Sequence, residues 1–283
     1  MCSPLYRFLS RSCTPLLLLT LVATLPIQAK EQLASAGGTL TDIIFALGAD
    51  DKLVAVDTSS TSPAAAASKA SIGYYRSLSA EAVIATGANS LWALEGSGPE
   101  ATLTQLANTG IKVQRFSKPR DLAEFYQFIT RLGQQLDKSA AADALVSQIK
   151  QSLPELPASA TPASALFILQ ASSRGIIVAG NGTVPALLFS HSAIQNLASH
   201  SGFKPISAEF LMLNQPDLLV VPDHVAQSAG GLSAFCQLPE LRMLQAAKEC
   251  RVLVMDSLLS MGMTSRIGEA VQQLYQFRQQ TVR

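Results

Sequence analysis

The sequence is poor in the residues that metal sites and hydrolytic centres use. Its only histidines are His191, His200 and His224, and no two stand at a ligand spacing such as H-x-x-x-H. A surface or helix-end role is expected for each. No G-x-S-x-G elbow, H-E-x-x-H helix or phosphate-cradling glycine loop occurs, so no nucleophile or hydrolytic metal is announced. Gly96-Ser97-Gly98-Pro99-Glu100-Ala101 imitates a dinucleotide turn, but the next strand ends at Phe116-Ser117-Lys118 with no acid for a ribose, which argues against an exported α/β enzyme of that kind. Charged residues make up only 14% of the chain and nearly cancel, for a formal +1; nothing there asks for nucleic acid. No apolar run reaches the ~20 residues needed to span a bilayer.

What is present begins with a leader. Arg7 and Arg11 precede an apolar run over residues 15–25, and Pro26-Ile27-Gln28-Ala29 ends in a small residue before Lys30. This is the pattern of a secretory signal peptide over residues 1–29, cleaved near Ala29. Cys13 lies ahead of the apolar run, where a lipid-anchor cysteine would not stand. Cleavage removes two arginines and no acid, leaving 19 basic against 20 acidic side chains, a charge of −1.

The rest alternates between two periodicities. Strands are expected at 32–35, 53–57, 90–94 and 111–116, with helices at 40–47 (capped by Thr39), 64–70, 79 onward and 99–108. Two helical stretches, 121–136 and 139–153, then follow each other with no strand between them, and a connector with three prolines closes the segment. A second series has strands at 165–169, 176–179, 217–222 and 251–255, and helices at 184–189 and 264–278. The expected architecture is α/β: an N-terminal lobe (30–118), bridging helices and connector (119–162) and a C-terminal lobe (163–283). Each lobe should carry a mostly parallel sheet, with a ligand in the cleft between them.

The most informative stretch is Gly73-Tyr74-Tyr75-Arg76-Ser77-Leu78-Ser79-Ala80-Glu81, echoed by Phe203-Lys204-Pro205-Ile206-Ser207-Ala208-Glu209. A phenolate is a hard anionic ligand suited to ferric iron, and Tyr is among the side chains that hold haem iron. Free Tyr titrates near ~10 and needs a cation to ionise at neutral pH. In an extended segment Tyr74 and Arg76 share a face, so Arg76 can supply that charge while Tyr75 points away. The ordinary alternative is a Tyr packed at a strand end.

These residues carry a resemblance. SAGGTLTDIIFALGADDKLVAVDTSST (35–61), IGYYRSLSAEAV (72–83), VAGNGT (178–183) and GFKPISAEFL (202–211) are similar to the periplasmic haem-binding proteins of bacterial haem ABC importers. Those belong to a cluster of helix-bridged carriers that also includes cobalamin and siderophore binders. The resemblance implies that Tyr74 ligates ferric haem, that Arg76 supports its oxygen, and that Glu81 and Glu209 dock on the permease of an importer with its ATPase. It also implies a monomer in the periplasm, with an outer-membrane haem receptor upstream. Some relatives carry a second-lobe His near 169–175; none stands here, so Tyr74 is expected to be the only protein ligand. Arg174 and Lys204 are candidates to meet the haem propionates. A siderophore or cobalamin cargo is the alternative within the same cluster.

Cys236 and Cys250 are the cysteines left after processing. Export makes them a disulfide closing about 15 residues, worth about 3 kcal/mol; the alternative is two separate buried thiols.

Overall fold

The computed structural model describes residues 31–155, 163–173 and 175–281. The expected leader and Arg174 lie outside them. The first half holds β1 (Leu33–Ala36), α1 (Gly38–Ala46), β2 (Leu53–Val56), β3 (Ala70–Ser71), α2 (Ala80–Ala85), β4 (Ser90–Leu94), α3 (Glu100–Asn108) and β5 (Lys112–Phe116). Its five strands run in the order β3-β2-β1-β4-β5, and every neighbouring pair is parallel. All five carboxyl ends therefore share one edge. The stretch expected as an alanine helix is a 3-10 turn, Ala64–Ser68, leading into edge strand β3.

The β1–α1 turn departs from expectation in its cap. Thr39 lies inside α1, and the N-cap is Gly37, at φ 129°. A Cβ there would sit 2.7 Å from Leu94 Cβ, so only glycine fits both the dihedral and the space. The cap's work passes to the buried Asp57: its Oδ1 accepts from Gly37 N at 2.8 Å, and its carboxylate also holds Ser59 and Ser60.

α4 (Leu122–Gln135) and α5 (Ser139–Ser152) follow with no strand between them. Asp121 caps α4 by accepting from Glu124 N. The two helices touch closely at Gly133, where a Cβ would lie 2.4 Å from Ala142 Cβ. The second half comprises β6 (Ala163–Ser172), β7 (Gly175–Ala179), α6 (Val184–Ser190), β8 (Ile194–Asn196), β9 (Phe203–Ile206), α7 (Ala208–Leu213), β10 (Leu218–Pro222), α8 (Asp223–Ser228), α9 (Leu232–Cys236), α10 (Gln245–Lys248), β11 (Val252–Met255), α11 (Ser257–Met261) and α12 (Ile267–Thr281). Its sheet runs β11-β10-β6-β7-β9, with β8 also on β6. It is mixed: β10, β11 and β8 are parallel to their neighbours, while β7 pairs antiparallel with β6 and β9. The cause is the length of β6, ten residues, whose far half outlasts β8 and folds back on β7.

One apolar cluster runs through both halves. It joins Leu40, Ile43, Trp92 and Phe116 of the first to Phe125, Leu132 and Leu145 of α4 and α5, and on to Phe167, Val220 and Leu274. Separate clusters cover the far face of each sheet. The halves are also joined by Asp42, 3% exposed, whose carboxylate accepts from Ser265 N at 2.6 Å and from Ser265 Oγ at 3.2 Å. Cys236 and Cys250 are disulfide-bonded, with Cα atoms 5.4 Å apart.

Candidate functional site

Ligand sites in open α/β sheets lie outside the carboxyl ends of the strands. In the first half that edge collects the Gly37 turn after β1, Asp57–Ser60 after β2, Tyr74–Arg76 after β3, Ser97–Gly98 after β4 and Lys118 after β5. The chain after β3 does not stay extended. Tyr74 is in the extended region (φ −81°, ψ 130°), but Tyr75–Ser77 forms a 3-10 turn closed by Ser77 N donating to Tyr74 O. The turn crosses the edge towards β4, where Gly98 N donates to Tyr75 O and Leu78 N donates to Gly98 O. The Gly96-Ser97-Gly98 segment thus braces the tyrosine turn.

This corrects the extended-strand geometry. Tyr74 does face out, 46% exposed, and Tyr75 faces in, 9% exposed. The 3-10 turn, however, brings Arg76 onto Tyr75: Arg76 Nε donates to Tyr75 Oη at 2.9 Å, with the guanidinium 5.2 Å from the ring centre. Lys118 approaches the same ring at 5.2 Å, and its Nζ donates to Tyr75 Oη at 3.3 Å. The Tyr74 ring stands edge-on against Tyr75, centroids 5.0 Å apart. The result is an exposed phenol resting on a buried one that is clamped by two cations.

Burial pulls the Arg76 guanidinium down, but the charge and hydrogen bonds of Tyr75 and then Tyr74 outweigh it and leave it above its ordinary value. Lys118 is held below its ordinary value by burial and by Arg76, against the opposing pull of Glu95 and Tyr74. No carboxylate forms an ion pair with either cation among the described residues. An edge with spare positive charge suits an anionic ligand atom.

Lys204 is exposed on the other sheet, on edge strand β9, opposite Val178. Glu81 and Glu209 each lie in the first turn of a short helix capped by Ser79 or Ser207. Hydrogen bonds from its own amide and from Ser79 hold the Glu81 carboxyl below the usual range. Of the histidines, His191 is the C-cap of α6, with burial lowering its pKa. His224 opens α8, and its Nδ1 lies 2.6 Å from Ser257 Oγ, which in turn donates to Asp223. Two concavities, of about 680 and 420 Å³, lie elsewhere, beside the disulfide and on the α4–α5 face. Neither includes Tyr74. Sequence reasoning missed Tyr75 and Lys118: nothing local to Lys118 marks it, since only the strand order brings the end of β5 to a turn 43 residues earlier.

The profile of the family described as periplasmic binding protein matches residues 33–259. Among solved structures the chain is similar to the periplasmic heme-binding protein RhuT from Roseiflexus sp. RS-1. The two are 28% identical with a TM-score of 0.80, over 88% of this chain and 99% of that one. It is also similar to a periplasmic heme-binding protein from Pseudomonas aeruginosa, at 30% identity and TM-score 0.75, over 87% and 91% of the two chains. Among curated proteins it is similar to a vitamin B12-binding protein of Yersinia pestis (strain Pestoides F), 27% identical over 243 residues, which are 84% of this chain and 85% of that protein.

Proposed function

The chain belongs to the periplasmic binding protein family, and from that premise we propose that it carries ferric haem through the periplasm to an inner-membrane ABC importer. It is a binding protein and not an enzyme. The observation that carries the haem reading is the exposed Tyr74 phenol at the carboxyl edge, backed by Tyr75, Arg76 and Lys118. Ferric iron is a hard acid, and a phenolate is a matching hard base. Tyr74 is the axial ligand in this reading.

The remaining assignments follow from the same reading. Arg174 and Lys204 meet the haem propionates from the second half. Glu81 and Glu209 dock on the permease, whose ATPase drives import, and an outer-membrane haem receptor supplies the cargo. The protein works as a monomer after removal of residues 1–29 near Ala29, with lobes at 30–118 and 163–283 joined through 119–162. Because the apolar core is continuous through α4 and α5, a wide spontaneous opening is disfavoured, and release depends on the permease prising the halves apart.

Titration of the mature protein with ferric haem tests the reading. Saturation with a high-spin, phenolate-type charge-transfer band is expected, and Tyr74→Phe should abolish the band and weaken binding. An unchanged spectrum in that variant removes the ligand assignment. The similarity to a vitamin B12-binding protein supports a second reading, a cobalamin carrier. A rise in melting temperature with cobalamin and none with haem would select it; a ferric siderophore is tested in the same way.

A further inference from the structure

Among the described residues, six large apolar side chains are strongly exposed, and three of them sit on two six-residue helices: Ile84 on α2, and Met212 and Leu213 on α7. The two helices correspond position by position. Each starts from a serine, Ser79 or Ser207, whose hydroxyl accepts from the amide three residues on, at 3.1 Å in both. Each has its glutamate at the second helical position. Two residues further on comes a buried anchor, Val83 or Leu211, at 0% and 1% exposure. The apolar residue before each serine, Leu78 or Ile206, packs into the same cluster as that anchor. This fixes the angle at which the helix leaves the sheet.

The next position is Ile84, 44% exposed, in one helix and Met212, 61% exposed, in the other, with Leu213 beside it at 77%. Helix positions three apart share a face. Glu81 therefore stands one turn from Ile84, and Glu209 one turn from Met212. The buried anchor already seats each helix, so nothing in the fold requires an apolar side chain at the exposed position. Neither glutamate is in an ion pair among the described residues.

We propose that α2 and α7 are matched two-part docking modules, each a carboxylate beside an apolar knob. Their occupant is an integral-membrane transport subunit that presents, twice, a cationic side chain next to an apolar recess. The proposal rests on the docking reading of Glu81 and Glu209 and adds the apolar half of the contact. A carboxylate at each knob argues against the anionic surface of a bilayer and for a cationic protein site. The acids steer the encounter, and the knobs, dehydrated once seated, set how long the complex lasts. With two apolar side chains, α7 contributes more to that lifetime than α2.

The test uses full-length mature protein, fluorescently labelled, with and without haem, on right-side-out inner-membrane vesicles of the source bacterium. The triple variant Ile84→Ser, Met212→Ser, Leu213→Ser should keep the wild-type melting temperature and haem titration, and dissociate about tenfold or more faster with a nearly unchanged association rate. Glu81→Lys with Glu209→Lys should instead slow association. Unchanged dissociation of the triple variant, where charge reversal still impairs binding, overturns the apolar half alone. Wild-type binding that neither set alters removes the docking reading as well. Equal binding of wild type to protein-free vesicles of the same lipids would identify a lipid surface and overturn the proposal.

Discussion

Lys118 Nζ lies 3.3 Å from Tyr75 Oη and 5.2 Å from the centre of its ring, although the two residues follow opposite edge strands of the first sheet. With Arg76 Nε on the same oxygen, the buried phenol orders both cations beneath the exposed one. Tyr75→Phe keeps the ring and removes the acceptor. It should cost about 1–2 kcal/mol of stability in denaturant unfolding and weaken haem binding while leaving the charge-transfer band in place. If Tyr75→Phe abolished the band and Tyr74→Phe kept it, the two tyrosines would exchange roles.

The tie between Asp42 and Ser265 predicts a pH dependence. Burial raises the Asp42 pKa, with the Ser265 hydrogen bonds and the Arg266 charge pulling part of the way back. A raised native pKa means that the folded state holds the proton more tightly. The stabilising contribution is thus complete below the unfolded value of 3.8 and is lost as pH rises through the native value. Asp42→Asn keeps an acceptor for Ser265 and never ionises. Its melting temperature relative to wild type should climb as pH rises from ~4 to ~7; a flat difference would show that the Asp42 carboxyl does not titrate as its burial demands.

Replacing Cys236 and Cys250 together by Ala should lower stability by about 3 kcal/mol and leave haem titration unchanged, because the bond packs with the cluster on the far face of the second sheet while Tyr74 follows an edge strand of the first. An unfolding midpoint indifferent to reductant would contradict this.

The close approach of α4 and α5 is tested at Gly133. Gly133→Ala places a methyl 2.4 Å from Ala142 Cβ and should cost about 1–3 kcal/mol as an overpacked contact. Adding Ala142→Gly should recover most of the loss. A double variant no better than the single one would locate the strain elsewhere.

Much of this was legible locally. The helices expected from 79 onward and at 121–136 are there, started by the Ser79 hydroxyl and the Asp121 carboxylate, whereas α7, which Ser207 caps in the same way as Ser79, was not among the expected helices. That Tyr74 faces out while Tyr75 faces in is legible from their alternation. What failed was non-local. Thr39 looked like a cap because the true acceptor, Asp57, comes twenty residues later. The far half of β6 was missed because Gln170 and Ser172 break its apolar run, and with it went the antiparallel half of the second sheet. Arg76 was expected on the Tyr74 face of an extended strand because a 3-10 turn and an extended strand look alike in four residues of sequence; the turn carries its Nε onto the Tyr75 hydroxyl, with Tyr74 still interacting with it.

The Asp42–Ser265 contact also bears on the order in which the molecule is assembled. Its partners are 223 positions apart, and Leu258 packs where a Cβ on Gly38 would stand. Helix α1, among the first elements to emerge during synthesis or export, must therefore wait for the last tenth of the chain before its surroundings are complete. Closing so long a loop is entropically slow to reward. A truncation that removes the chain from 257 onward should thus leave the amino-terminal half, despite its complete five-stranded sheet, short of native packing.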